Sequence, residues 1–456
     1  MIPQFQRAAR SFILLISAAA HAAEAPAEWS AGIATAKITP ARPIPLEGYA
    51  HRVKPFESVD MDIDAKALAL KDAQGSRAIL LTVDLCVLHG EIGQLVRRRV
   101  AEKTGIEESA ILLNVAHSHS APAVKLHNKP ATDGVVPVTN DETIAYTQWL
   151  CDRLVEIAGE AAAHMEPAKL SWGVGFASFA INRREFTDRG IILGHNPRGL
   201  VDRSVPVLRV DAPDGKPRVV LFGYACHNTT MPHDRLAVSG DYEGYAKQYI
   251  QEHVPGAQAM FMIGCGADAN PYMRNTFERT KEYGDILGRE VCRVMEAKLL
   301  PVHGPLKCAE VTAELPLQTP DRAALEAIAK DGPRLSKGPA QQMLATLDSG
   351  KPLPPVFHAP VGAWQFGQDL TLIALPDEVV AQYVPDIERA VGPLRLWISG
   401  YNQEVVGYIP SDQIIREGGY ETRGLYFGTG WFALGVEEAL VTAVRRAAAQ
   451  AGRTVK

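Results

Sequence analysis

The 456-residue chain is short of several things. Its six cysteines include no Cys-x-x-Cys pair, which excludes a zinc ribbon or a thioredoxin-like redox site. It has no basic excess: 47 Lys and Arg against 52 Asp and Glu give a net charge of -5. The positive stripe that a sequence-independent nucleic-acid binder needs to displace counterions is therefore missing. Beyond the N-terminal segment no run approaches the ~18 uninterrupted apolar residues of a membrane-spanning helix. Aromatic content is 7%, no sign of a dedicated membrane-docking surface, although single loops could dock. What remains is ordinary: a 46% hydrophobic composition excludes disordered, collagen-like and disulfide-scaffold classes, and the length allows a large core.

Residues 1–22 read as an export signal. Arg7 and Arg10 form a positive start, Phe12–Ala20 is a short apolar run, and Ala20-His21-Ala22 offers the small-x-small pattern of a cleavage site. The expected location is periplasmic or secreted. Six cysteines fit an oxidising compartment without demanding one. Cys86, Cys226 and Cys265 lie in or beside apolar runs, where a free thiol behaves as a small hydrophobe.

From residue 30 onward, buried-strand and helix patterns alternate. Ala78–Val83, Ala110–Val115, Arg218–Ala225, Ala259–Ile263, Leu370–Leu375 and Leu394–Ile398 read as strands. Ile92–Lys103, Asp141–His164, Tyr242–His253, Thr280–Ala297, the stretch near Glu378–Arg389, and Val436–Ala449 read as helices. This predicts an α/β fold: a single large domain with mostly buried strands and functional motifs at strand C-terminal ends. Residues 319–355, rich in Pro, Ala, Lys and Gln, read as a surface insertion with one short helix at Arg322–Lys330.

In α/β sheets ligands bind beyond the carboxyl ends of strands. There the sequence places His117-Ser118-His119, then His227, then Gly264–Asn270 with Asp268, then Asp377-Glu378, then Tyr401-Asn402. Two histidine-bearing ends and one carboxylate-bearing end are the nitrogen and oxygen donors of a zinc site with an open position. Each piece alone has a plainer reading. An isolated His-x-His is more often two ordinary histidines, His227 a core or loop histidine, Glu378 a helix-flanking acid, and Asp268 and Asn270 turn formers. A metallo-β-lactamase would need an aspartate and a further histidine directly after the pair, and Ser120-Ala121-Pro122 supplies neither. A barrel amidohydrolase would carry its pair after the first strand, whereas here at least two strand patterns precede it.

Taken together, Ala116–Pro122 resembles the His-Thr-His-Ser-Gly-Pro motif of the neutral/alkaline ceramidase family. Gly32–Tyr49, with Ile38-Thr39-Pro40 and Glu47-Gly48-Tyr49, is similar to that family's opening. So are Asn182-Arg183, His227–Met231, Ser239-Gly240-Asp241, Gly244-Tyr245-Ala246 and the Gly-Tyr-Ile-Pro containing Tyr408. The similarity runs over about residues 30–425, in the family's order. It implies a zinc amidase cleaving the N-acyl bond of ceramide by zinc-activated water, with His117, His227, Glu378 and Tyr408 as zinc ligands. It also implies substrate-contacting or supporting roles for His119, Arg183 and Tyr420: a proton shuttle at His119, and an oxyanion donor at Arg183, assisted by Tyr420.

Two departures stand out. Where the family has Gly-Asp-Val-Ser-Pro, this chain has Ala267-Asp268-Ala269-Asn270-Pro271. Asn270 stands at the serine position and offers an amide instead of an alcohol, while Asp268 is expected to orient a histidine. The family's C-terminal immunoglobulin-like domain is not expected, because the chain ends one helix after Tyr420. The expected activity is an exported zinc amidohydrolase on a lipid or other small N-acyl substrate, with no nucleic-acid partner. A zinc esterase or lactonase on a soluble substrate stays open, as does a zinc-binding protein that has lost catalysis. Retention of His119, Arg183 and Tyr420 counts against the last, since a structural zinc has no use for oxyanion donors.

Overall fold

The structure, a computed structural model, describes residues 28–52, 54–127, 141–332, 334–426 and 430–455. The export signal expected at residues 1–22 lies outside the described residues. Two sheets form the centre. The larger runs in the order Gln258–Ile263, Pro217–Tyr224, Ser204–Asp211, Glu166–Phe176, Trp29–Lys37, Asp64–Asp72, Arg77–Val83, Ile111–Val115, with Leu300–Val302 added against Glu166–Phe176. Its middle is antiparallel. At each end one parallel pair appears, Pro217–Tyr224 with Gln258–Ile263 and Arg77–Val83 with Ile111–Val115. The second sheet runs Leu306–Pro316, Val356–Phe366, Leu370–Ala374, Leu396–Ser399, and its last pair is parallel.

Residue size decides how these layers stack. Leu68, Leu70, Leu80, Leu208 and Leu221 of the large sheet meet Trp364, Phe366, Leu370, Leu372 and Trp397 of the second. Bulky side chains fill the gap of roughly 10 Å between facing sheets. On the other side of Asp64–Asp72 the residues are Ala65, Ala67 and Ala69, all fully buried, and there the helix Asp141–Ala163 packs. The approach is close: a Cβ on Gly32 would stand 2.0 Å from the Ala161 carbonyl oxygen. Helices Asp241–His253 and Phe277–Glu296 pack together and against the far end of this sheet, and Val436–Gln450 covers the second. The result is an α/β fold of four layers, helix, sheet, sheet, helix.

The parallel pairs matter most, because they bring the carboxyl ends of six strands together. Asn114, fully buried at the end of Ile111–Val115, ties this end to those of Gln258–Ile263 and Leu396–Ser399. Its Nδ2 donates to Gly400 O at 2.8 Å and Asn402 Oδ1 at 3.0 Å, and its Oδ1 accepts from Ile263 N at 3.3 Å.

Three expectations need correction. Glu378 does not begin a helix: Glu378–Val379 is a short strand parallel to Tyr408–Ile409, and the helix starts at Tyr383. Residues 319–355 hold two helices, Arg322–Asp331 and Arg334–Asp348, the second containing Pro339. Burial of Ala340 and Met343 against Leu325 and Trp431 outweighs the helix-breaking signal of Gly338-Pro339. Several antiparallel strands the periodicity did not single out, including Asp64–Asp72 and Ser204–Asp211, make up the middle of the large sheet. All six cysteines are free, with Cys86, Cys226 and Cys265 buried.

Candidate active site

The strand ends turn sharply inward at the positions that carry chemistry. His117, Asp377 and Tyr401 each follow a strand and take left-handed backbone, with φ of 61°, 59° and 57°. Such conformations cluster at functional sites. The turns place His117, His227 and Glu378 with their donor atoms within 4.8 Å of one another, all three buried. Glu378 Oε2 lies 3.2 Å from His117 Nε2 and 3.1 Å from His227 Nε2.

The other ring nitrogens fix the tautomers. His117 Nδ1 sits 2.7 Å from Cys86 O, and His227 Nδ1 sits 2.9 Å from Gly266 O and 3.1 Å from Ala269 O. Carbonyl oxygens only accept, so both Nδ1 atoms carry the hydrogen and both Nε2 lone pairs face the carboxylate. Three lone-pair donors facing each other at contact distance repel unless a cation lies among them. Burial and the Arg183 guanidinium push the His227 imidazole down to about 4, so it is neutral at pH 7, as a metal ligand must be. A borderline metal such as zinc matches two imidazoles and a carboxylate, and these residues fit one.

Tyr408 stands opposite Glu378 in the parallel pair. Burial and the Glu378 charge push its hydroxyl well above the ordinary range. His119 Nε2 lies 3.1 Å from His117 Nε2. Burial and the neighbouring histidines hold His119 well below its ordinary value, hence neutral. Its ring packs edge-on to Tyr49 at 4.9 Å, and a Cβ on Gly48 (φ +101°) would fall 2.5 Å from His119 Nδ1. That explains the glycine between Glu47 and Tyr49.

Arg183 Nη1 lies 3.0 Å from His227 Nε2 and its Nε donates to Glu421 Oε1 at 2.8 Å, while its buried Nη2 has no hydrogen-bond partner among the described residues. The Tyr420 ring flanks the guanidinium at 5.2 Å. Asn270 is buried on the strand Ala269–Pro271, opposite Ile181, and its Oδ1 has no partner among the described residues. Asp268 is placed differently from expectation. Its Oδ1 accepts from Ala381 N at 2.8 Å and its Oδ2 from Asn182 Nδ2 at 2.9 Å. The two histidines in the cluster are oriented by backbone carbonyls, and Asp268 fixes the loops around them.

Several residues join the site to which the sequence assigned no role, Tyr426 and Glu421 with no signal at all, and Tyr401 and Asp241 known only as a strand-end and a motif residue. Tyr426 donates its hydroxyl to Glu378 Oε1, and Tyr401 donates to Oε2 at 3.4 Å. Glu421 also takes Arg184 Nη1, at 2.6 Å. Asp241 accepts from Thr230 N at 3.1 Å and Met231 N at 2.9 Å, latching the loop after His227.

With this geometry in hand, comparison with known proteins is decisive for kinship. The family profile "Neutral/alkaline non-lysosomal ceramidase, N-terminal" matches residues 29–286, more than half of the chain. The chain belongs to the neutral/alkaline non-lysosomal ceramidase family. Among curated relatives, "Neutral ceramidase B" of Dictyostelium discoideum is 26% identical over 226 residues, 46% of this chain and 30% of that protein. "Neutral ceramidase A" of the same organism is 25% identical over 211 residues, 43% of this chain and 28% of that protein. The matched region thus spans under a third of these relatives. The crystal structure of neutral ceramidase from Pseudomonas aeruginosa has the same fold, with a TM-score of 0.71 at 18% identity, covering 93% of this chain and 75% of that one. A second solved structure, "Ceramidase complexed with C2", aligns equally well, at a TM-score of 0.71 over 94% of this chain and 76% of that one.

Proposed function

We propose that the chain is a zinc-dependent hydrolase of N-acyl amides, ceramide-like in its scissile bond. We take residues 30–456 as one hydrolase unit, exported by residues 1–22. The observation that carries the reading is the convergence of the His117 and His227 Nε2 lone pairs on Glu378 Oε2, beside an arginine with an unpaired donor. His117, His227 and Glu378 would hold the metal, with Tyr408 beside Glu378 as the fourth donor. When bound, zinc supplies Lewis acidity and lowers the pKa of a coordinated water from 15.7 to roughly 7.

The chain's own residues do the rest. Arg183 Nη2 is a buried donor free to bind the carbonyl oxygen as negative charge develops, a role worth roughly 3–4 kcal/mol for one well-placed donor. The Glu421 carboxylate and the Tyr420 ring hold that guanidinium in place. Neutral His119 can take a proton at Nε2 and pass it to the departing amine. The Asn270 amide, with its oxygen unsatisfied, can hydrogen-bond the substrate next to the acyl carbon.

Asn270 also favours a second reading, an esterase or lactonase. It stands where the family's serine serves ceramide hydrolysis, and an ester needs less help at the leaving group than an amide. The deciding experiment is a hydrolysis panel of N-acyl amides (ceramide included), simple esters and lactones, with and without chelator. Chelator-sensitive amide cleavage supports the first reading. Turnover of esters or lactones alone replaces it with the second.

A further inference from the structure

The two sheets do not stay in contact to their edges. Leucines of the large sheet meet Trp364 and Phe366 in the middle, but beside Trp397 the gap widens into a cavity of about 330 Å³. That is the size of a small-molecule site. Its walls are aromatic, with Trp172 and Tyr224 from the large sheet and Trp397 from the second. Val174 and Leu394, 50% and 80% exposed, form its rim. Trp172 also keeps a buried indole N–H with no acceptor among the described residues, so this wall is not a finished piece of core. The inner end reaches Ala225 and Gly264, two residues before His227 and Gly266. The cavity thus backs onto loops of the candidate active site, yet none of His117, His227, Glu378 and Tyr408 lines it.

Two carboxylates line this space. Asp202 precedes the strand Ser204–Asp211, and Glu388 stands on the helix Tyr383–Val391. Asp202 Oδ1 accepts from Ser204 N at 2.8 Å, and neither acid is in an ion pair among the described residues. Burial raises both carboxyls, the Asp202 charge raises Glu388 further, and no positive group offsets either rise. The cations of the surrounding segments are engaged elsewhere. Arg395, on the lining, donates to Asp369 and to Gln368 O at 3.0 Å. Arg389 is held by Asp386, and Arg453 by the carbonyl oxygens of Val391, Gly392 and Leu394. Arg203, next to Asp202 in sequence, does not line the cavity. Uncompensated acids among aromatic rings, in a recess where water screens them less, attract a positive charge on an apolar body.

We propose that this cavity binds a small organic cation with an apolar tail, of the alkylammonium class. The charged head sits by Asp202 and Glu388, and the tail lies along Trp172, Tyr224 and Trp397 toward the rim at Val174 and Leu394. An anion would be repelled by the two acids. A neutral molecule of the same shape would gain only the apolar contact. The site stands apart from the hydrolase reading, since it uses none of the proposed metal ligands and its occupancy needs no turnover.

The test is isothermal titration calorimetry of the full chain at neutral pH, in chelator, with hexyltrimethylammonium, 1-hexanol and hexyl sulfate as probes. The cation should bind at least about tenfold more tightly than the alcohol, and hexyl sulfate more weakly than either. Asp202→Asn/Glu388→Gln, which keeps the size of both side chains, should bring the cation down to the level of the alcohol. Val174→Trp, an exchange at the exposed rim, should weaken cation and alcohol alike by about tenfold, because it closes the mouth. Both variants should retain the circular dichroism spectrum of the wild type. No binding of the cation, equal binding of all three probes, or cation binding that survives both variants overturns the proposal. So does a wild-type dimer in sedimentation velocity that Asp202→Asn/Glu388→Gln dissolves while the cation stays unbound, which would seat a basic side chain of a second copy in the cavity.

Discussion

Tyr426 donates its hydroxyl hydrogen bond to Glu378 Oε1, leaving Glu378 Oε2 to face His117 and His227. The tyrosine thereby fixes which carboxylate oxygen is presented to the proposed metal centre. A ligand held by an outer hydrogen bond loses roughly 10–100-fold in metal affinity when that bond is removed. Tyr426→Phe should weaken zinc binding by that factor, measured by competition with a chromophoric chelator, with little change in melting temperature. Unaltered affinity would mean that Glu378 is held well enough by Tyr401 and the backbone.

Asn114 joins three strand ends through both atoms of its amide. Asn114→Ala would leave the Ile263 N–H and Asn402 Oδ1 without their side-chain partner, while the Gly400 carbonyl keeps Asn402 Nδ2 at 2.8 Å. The expected cost is about 2–4 kcal/mol of stability, read from urea denaturation, together with lost metal affinity because His117 lies three residues on. Loss of affinity without loss of stability would contradict a purely architectural role.

Asp268 gives a pH signature. Burial, the main cause, raises its carboxyl from 3.8 to about 6. Between those values the folded chain holds a proton the unfolded chain has released, so this group's contribution to stability falls as pH rises from about 4 to 6. The total change approaches ~3 kcal/mol. Asp268→Asn should flatten this part of the curve in denaturant titrations at pH 4, 5, 6 and 7, although the variant is less stable throughout because one acceptor is lost.

Asn270 separates the two substrate readings. If its amide limits cleavage of amides, Asn270→Ser should raise turnover of a long-chain N-acyl sphingoid amide by roughly tenfold with zinc content unchanged. An ester substrate should gain less. Equal change on both would remove Asn270 as a discriminator.

Much of the site was legible because it sits where strand physics puts ligands. His117, His119 and His227 follow runs too apolar to be anything but buried strands, and the structure draws the first and third together. Glu378 was legible as a residue but not as a conformation. A two-residue strand is too short to show a period, and the apolar spacing after it belongs to the helix starting at Tyr383. Tyr426 and Glu421 were not legible, since each reaches the site from a loop or single turn with no periodic pattern, and Tyr401 was legible only as a strand-end residue, without its role beside Glu378. Asp268 was found for the wrong reason. Its place in a Gly-rich turn beside a histidine suggested a ligand's partner, while backbone carbonyls of the same turn had already taken that task. The middle strands of the large sheet escaped because charged Lys66 and Arg209 interrupt their apolar runs, although Lys66 is buried on Gln251 and the Ala259 carbonyl.

The central claim is that His117, His227 and Glu378 hold zinc, and metal analysis of the purified chain by mass spectrometry tests it most directly. The account predicts about one zinc per chain for the wild type, and near-complete loss in His117→Ala and His227→Ala variants that remain folded by circular dichroism. A wild type with no metal, or either variant retaining a full equivalent of zinc, would contradict it.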